Sequence, residues 1–333
     1  MAPLLCAAAL MLPPALACAQ APEQEVFALH GYGHVQAVHS RDGERPRDEL
    51  EHDLSLLGIW SVSPRAKVWL QVVNHDGAAG VRMDWAFASL DLSETTTLYL
   101  GQPRLPLSLN NETRDVQALR PSASLPLLYD EELGLADETF RGVLLEHRLR
   151  SPELGEFTVE GFAASAVAPH AGSALRGRVA GGRTTWHPVG SDWTWKVSGY
   201  AGHVRVALDG QERKQALVLS GRLDRGQWAL QAEAGHARPG DRRLNLAYLQ
   251  LDHALYGNWR AFGRVEQGLS EPGEGPTVRE RSLAAGLAWR ADAHWGLRLE
   301  GSHHRGRLDD NDAADASARR VHNQIVVAVN YLF

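Results

Sequence analysis

Charged side chains recur at every second position inside runs that are otherwise apolar. Arg82 and Asp84 alternate with Val81, Met83, Trp85 and Phe87. Arg260, Arg264 and Glu266 alternate with Trp259, Ala261, Gly263 and Val265, and Arg298 and Glu300 with Trp295, Leu297 and Leu299. Lys196, Arg222, Glu233 and Arg320 are placed on the same expected face. Fixed guanidinium and carboxylate groups facing enclosed water set a field that sorts solutes by sign and dipole. Lysine occurs only at Lys67, Lys196 and Lys214, so nearly every cation is an arginine. A guanidinium stays charged and holds a fixed fork, although codon bias accounts for the preference equally well.

Residues 103–138 carry a second charged group. Glu112, Asp115, Asp130, Glu131, Glu132, Asp137 and Glu138 stand against Arg104, Arg114 and Arg120, so the segment is acidic. A connection this long inside a compact domain is usually functional. A basic wall opposite an acidic loop, with Arg82, Glu112 and Asp115 as a group, would impose a transverse field.

Other chemistry is weakly signalled. His303 and His304 are adjacent, so on a strand they point to opposite faces and cannot chelate together. No histidine shows a trustworthy metal-ligand spacing, and no metal or cofactor is expected. Asp309-Asp310-Asn311-Asp312 could hold calcium through oxygens, but reads first as a solvated loop. His34, His39 and Ser40 could be offered for a hydrolase, yet lack a recognisable third partner. Gly161, Gly177 and Gly181 suit close strand approach. The formal net charge of -6 gives no reason to expect a nucleic-acid partner.

The elements that must carry these charges are strands. Alternation is clearest at the end, where Ile325, Val327, Val329, Tyr331 and Phe333 share one face and Gln324, Ala328 and Asn330 the other. The pattern predicts about sixteen strands, with fourteen as the alternative. They are 25–39, 51–61, 65–74, 80–91, 95–102, 139–149, 156–167, 174–187, 191–206, 213–224, 226–237, 241–255, 257–270, 279–291, 294–306 and 319–333. In 139–149, Phe140 and Leu144 share a face with Glu146 and Arg148, so no inward side is assigned there.

Alternation alone does not distinguish a soluble sandwich from a barrel in lipid. The connections do. Every second one is tight: Val62-Ser63-Pro64, Leu92-Ser93-Glu94, Pro188-Val189-Gly190, Leu223-Asp224-Arg225-Gly226, Tyr256-Gly257-Asn258 and Ala291-Asp292-Ala293. The intervening ones, such as 40–50, 271–278 and 307–318, are longer and more polar. One tight rim and one long-looped rim is the plan of an all-β, antiparallel, up-and-down transmembrane barrel. Trp60, Trp69, Trp186, Trp193, Trp195, Trp228, Trp259, Trp289 and Trp295 cluster by tight turns, as an interfacial girdle requires, while Trp85 falls mid-strand. Mean hydropathy is -0.29. After residue 19 no run approaches the roughly 18–20 apolar residues of a spanning helix.

Residues 1–19 read as a secretory signal peptide: Leu4 to Leu16 is apolar and Ala17-Cys18-Ala19 offers a small-x-small cleavage site. Cys6 and Cys18, the only cysteines, lie within it, so a disulfide framework is excluded from the expected mature domain, 20–333. Lipidation of Cys18 is the rival reading of that site.

The terminal Asn330-Tyr331-Leu332-Phe333 resembles the closing strand of outer-membrane barrels, whose last aromatics are read by the insertion machinery. Asp84-Trp85-Ala86-Phe87-Ala88, then Leu98-Tyr99-Leu100-Gly101-Gln102-Pro103-Arg104-Leu105-Pro106, Asn111-Glu112, Asp115-Val116, Arg120-Pro121 and Tyr129 resemble proteobacterial porins of the general or anion/sugar type. Leu29 to Val35 resembles a porin first strand. The likeness to phosphate-selective porins is more distant, because Glu51-His52-Asp53-Leu54-Ser55 is acidic where those carry arginines. The resemblance implies passive diffusion of small polar solutes or ions, a third long loop (103–138) folded into the barrel as a constriction, and homotrimers in outer-membrane lipid. The pore-lining residues then expected are Arg82, Asp84, Arg104, Asn111, Glu112, Arg114, Asp115, Arg120, Glu131, Arg264, Arg298 and Glu300. The alternatives are a lipase- or protease-type barrel and a plugged structural or adhesive one.

Overall fold

A computed structural model describes residues 26–42, 45–75, 80–130, 133, 135–168, 175–206, 210–273, 277–306 and 321–333. The signal peptide with both cysteines, Glu131, Glu132, Arg320 and the acidic run 309–312 lie outside the described residues.

Sixteen antiparallel strands close into one barrel, each paired with its chain neighbours and the last with the first. They are β1 Phe27–Asp42, β2 Arg45–Ser63, β3 Ala66–His75, β4 Arg82–Asp91, β5 Thr96–Gln102, β6 Thr139–Ser151, β7 Gly155–Ala168 and β8 Leu175–His187. The second half comprises β9 Trp193–Val206, β10 Gly210–Arg225, β11 Trp228–Pro239, β12 Arg243–Ala254, β13 Trp259–Glu271, β14 Val278–Arg290, β15 Trp295–Arg305 and β16 Val321–Leu332. Closure leaves no strand edge, the one way a sheet satisfies its backbone in lipid. No helix among the described residues is long and apolar enough to cross a membrane.

The expected loop 40–50 is a correction. β1 and β2 continue through it, pairing Ser40 with Arg47 and Arg41 with Pro46. Its polarity marks a hairpin that both faces can show to water, not a break in pairing. Val62, Ser63 and Leu223 to Arg225 also belong to strands rather than turns.

Burial is inverted relative to a soluble protein. Leu299 and Ile325 are 50% and 51% exposed, whereas Glu300 and Arg264 between and beside them are 1% and 3% exposed. Apolar side chains line the outside and charged ones the inside, the arrangement of a barrel in lipid. Outward tryptophans stack in pairs beside the tight turns: Trp193 on Trp195 at 4.9 Å and Trp259 on Trp289 at 6.0 Å between centroids. Trp295 meets Tyr331 at 4.6 Å.

Three aromatics depart from the expected face. A bulge between β3 and β4 makes the strand register skip Asp84, so Trp85 pairs with inward Gln71 and Phe87 with Trp69. A bulge adds one residue and shifts the alternation by one. Asp84, Trp85 and Phe87 therefore all face the lumen, while Val81 and Met83 stay outside. Trp69 also faces inward, stacked on Phe87 at 5.7 Å, so it leaves the girdle. Gly177 and Gly181 sit where a Cβ would come within 2.2 Å of a neighbouring strand's carbonyl or closer, but Gly161 has open space.

The chain end closes the barrel. Phe333 and Gly31 exchange both backbone hydrogen bonds at 2.9 Å. The Phe333 ring lies over Gly31, where an added Cβ would come within 2.1 Å of it.

Candidate functional site

Residues 103–138 fold into the lumen, and two different interfaces hold them. The first is apolar. Leu105, Leu107, Leu128, Tyr129, Leu133 and Leu135 are buried in one cluster with inward residues of β6 to β12, among them Phe140, Leu144, Phe162, Tyr200, Leu244 and Tyr248. This explains β6: Phe140 and Leu144 face inward beside Glu146 because the loop packs on that wall. At this level the lumen is a core.

The loop's own charges brace it. The Arg104 guanidinium donates to Asp84 at 2.7 Å and also meets Asp115 and Glu138. Those three carboxylates lie within 4.8 Å of one another, and Arg104 occupies the space among them. Its carbon is 5.4 Å from the Trp85 ring centroid, adding a cation–π contact. Asn111 donates to the carbonyls of Leu105, Asp137 and Glu138, and Arg114 to those of Ala136 and Tyr129. Burial thus places Arg104, Asn111 and Arg114 inside the loop's scaffold rather than on an open lining.

The expected opposition of acidic loop and basic wall is replaced by local pairing. Glu112 pairs with Arg183 of β8, which also holds Glu160 at 2.6 Å. Asp137 takes Lys214 at 2.6 Å. Wall acids in turn accept from the loop. Glu233 accepts Leu109 N–H at 2.8 Å, and Glu266 accepts Leu127 N–H at 2.6 Å. Arg82 faces inward, half-buried, opposite Val73.

The second interface, toward β13 to β16 and β1, is polar. Glu300 accepts Ala123 N–H at 2.7 Å, Ser124 N–H at 3.1 Å and the Ser124 hydroxyl. Arg264 donates to the Ser124 hydroxyl at 2.8 Å and pairs with Glu266. Arg298 donates to the Arg120 carbonyl at 2.9 Å, and Gln117 to Gln36 at 3.1 Å. A small apolar contact, Ala123 against Val38, Val326 and Ala328, accompanies them.

A cavity lies on each side of this interface. One of 440 Å³ opens toward the long connections and is lined by Ser124, Leu127, Arg264, Glu266, His304 and Gln324 among others. One of 240 Å³ opens at the tight-turn rim beneath Leu119, Arg120 and Pro121. Between them stand Ala123, Ser124 and Glu300.

A Ser–His–carboxylate row borders the larger cavity. His304 Nε2 is 3.1 Å from the Ser302 hydroxyl, and its Nδ1 is 3.1 Å from Glu280. Sequence reasoning missed it, because Glu280 lies on the neighbouring strand. The candidates His39 and Ser40 point to opposite faces; His39 holds Asp48 at 2.6 Å, while Ser40 donates to the Arg47 carbonyl.

No family model matches the chain, and no characterised protein matches it by sequence. Solved structures match over nearly the whole length. The Vibrio cholerae outer-membrane protein OmpT is 10% identical with a TM-score of 0.65, covering 94% of this chain and 100% of its own. An anion-selective porin from Comamonas acidovorans is 13% identical with a TM-score of 0.64, covering 92% and 99%. Salmonella typhi OmpF, solved with daunomycin, is 13% identical with a TM-score of 0.65, covering 92% and 97%. The fold is that of outer-membrane porins.

Proposed function

We propose that the chain is an outer-membrane pore for small polar or charged solutes, narrowed by residues 103–138 and exported by residues 1–19. One observation carries this reading: between the two cavities the loop is held to the wall chiefly by hydrogen bonds, centred on Ala123, Ser124 and Glu300. Water or a solute can replace such bonds at little net cost, whereas the apolar side of the loop is fixed by packing. The solute path therefore runs along β13 to β16, past Arg264, Glu300 and Arg298, with Arg120 over its tight-turn mouth. A homotrimer is part of the proposal, in line with a fold neighbour solved in a trimer form. Refolded protein in a planar bilayer should give discrete conductance steps, and reversal potential in a salt gradient gives their sign. A silent bilayer, with a barrel that still shifts on a gel when heated, would overturn this reading in favour of a plugged barrel.

Ser302, His304 and Glu280 support a second reading, an ester hydrolase in the outer vestibule. With Nδ1–H on Glu280, Nε2 is free to take the serine proton. Gln324, directly opposite Ser302 in register, offers an amide toward the oxyanion. A fluorophosphonate probe should then label Ser302, and Ser302→Ala or His304→Gln should abolish labelling. No label on folded protein removes the hydrolase.

A further inference from the structure

The cavity at the tight-turn rim holds four arginines: Arg120 from the loop, Arg260 from β13, Arg290 from β14 and Arg298 from β15. Among the described residues none of the four has an ion-pair partner, while Arg104, Arg183 and Arg264 each have one or more.

The register shows how the cluster is built. Arg260 pairs across with Ala288, Ala288 with Arg298, and Arg298 with Ala328. One row of the inner wall thus alternates arginine and alanine, leaving a trough between guanidinium groups. Arg290 faces Gly296 in the neighbouring strand. A Cβ at Gly296 would come within 2.7 Å of Asn330 Oδ1, the acceptor that holds Arg298. From above, the Arg120 guanidinium bonds only to loop carbonyls, and its Nε is buried without an acceptor.

The nearby carboxylates are committed elsewhere. Asp224 is held by Arg222 at 2.6 Å, Asp252 by Gln250 at 2.9 Å, and Glu300 by the loop. Asp292, on the cavity's rim, accepts the backbone N–H groups of His294 and Trp295 at 2.7 and 2.8 Å. Those bonds hold its carboxyl below the usual range. Like charges gathered without counter-charge repel one another, and a guanidinium fork matches two oxygens of one acceptor.

We infer that this cavity is a binding site for a compact multivalent oxyanion, either phosphate or a short di- or tricarboxylate. It is separate from the Ser124–Glu300 partition, and its occupancy does not depend on whether the barrel conducts. Arg260 and Arg290 supply the capture charge, since among the described residues neither side chain has a hydrogen bond or ion pair, the nearest influence being the field of Asp224 and Asp252 on Arg260. Arg298 and Arg120 form the back of the site, already fixed through Asn330 and the loop.

The test is calorimetric titration of refolded, full-length protein in detergent at constant ionic strength. Inorganic phosphate, succinate and citrate are titrated separately, with chloride as the monovalent control. Saturable binding of phosphate or of a carboxylate, absent with chloride, is expected, and which of the two binds more tightly assigns the source. Arg260→Gln with Arg290→Gln should weaken it roughly tenfold or more while the heat-dependent gel shift is kept. Arg290→Glu, a second variant on an arginine with no protein partner, should abolish it. No saturable binding above chloride, or affinity unchanged in the double variant, overturns the site.

Discussion

Arg104 illustrates how a charge can be visible in a sequence while its role is not. Its position in a Gly-Gln-Pro-Arg hinge was readable, but its contact with Asp84 depends on a bulge that hydrophobic alternation cannot show. Removing it would leave Asp84, Asp115 and Glu138 buried together without a cation. Truncating one partner of a buried charged network costs about 3–5 kcal/mol. Arg104→Met should therefore lower the denaturant midpoint of the refolded barrel, and adding Asp84→Asn and Glu138→Gln should restore part of it. Equal midpoints for wild type and Arg104→Met would show that the network contributes nothing. The same limit explains Asn111 and Arg114: their types suggested a lining, and only the closed loop reveals that they cap its own carbonyls.

The strands were legible because each carries its own signal. Period-2 patterning and turn residues are local, so the strands other than β2 stand within a few residues of their expected positions. The hairpin at 40–50 was misread because polarity was taken for loop where a strand rises clear of lipid. The loop 103–138 behaves otherwise. Its leucines match no period of their own and become anchors only against Tyr200, Leu244 and Tyr248, far along the chain. Anchoring one side by packing and the other by polar bonds makes the polar side the part that yields. Glu300→Ala removes the acceptor of three loop groups, leaving the apolar anchor intact. Its single-channel conductance should exceed wild type, with the same gel shift. An unchanged conductance would place the solute path elsewhere in the lumen.

At the scale of the molecule, the division of the lumen follows from the distribution of inward residues around the wall. From β6 to β12 the inner face offers Phe140, Leu144, Phe162, Val179, Val218, Leu244 and Leu246, so a loop rich in leucine settles there and expels water. From β13 to β16 it offers mostly arginine, glutamate, alanine and serine, so the same loop is held there chiefly by hydrogen bonds, with a small apolar contact at Ala123. The outer face has no such division. Leu217, Leu249, Leu283, Leu299 and Val327 cover it from β10 round to β16. Sequence patterning therefore reports most of the outside of the barrel, since lipid makes the same demand on every strand, and it fails on β3 and β4, where the bulge turns Trp69, Trp85 and Phe87 inward. The inside answers to a loop and to water, which differ from strand to strand. The unpaired arginines at the tight-turn rim lie in the polar sector, under the end of the loop that packing does not hold. An anion drawn to that rim would stand at the mouth of the proposed solute path along β13 to β16.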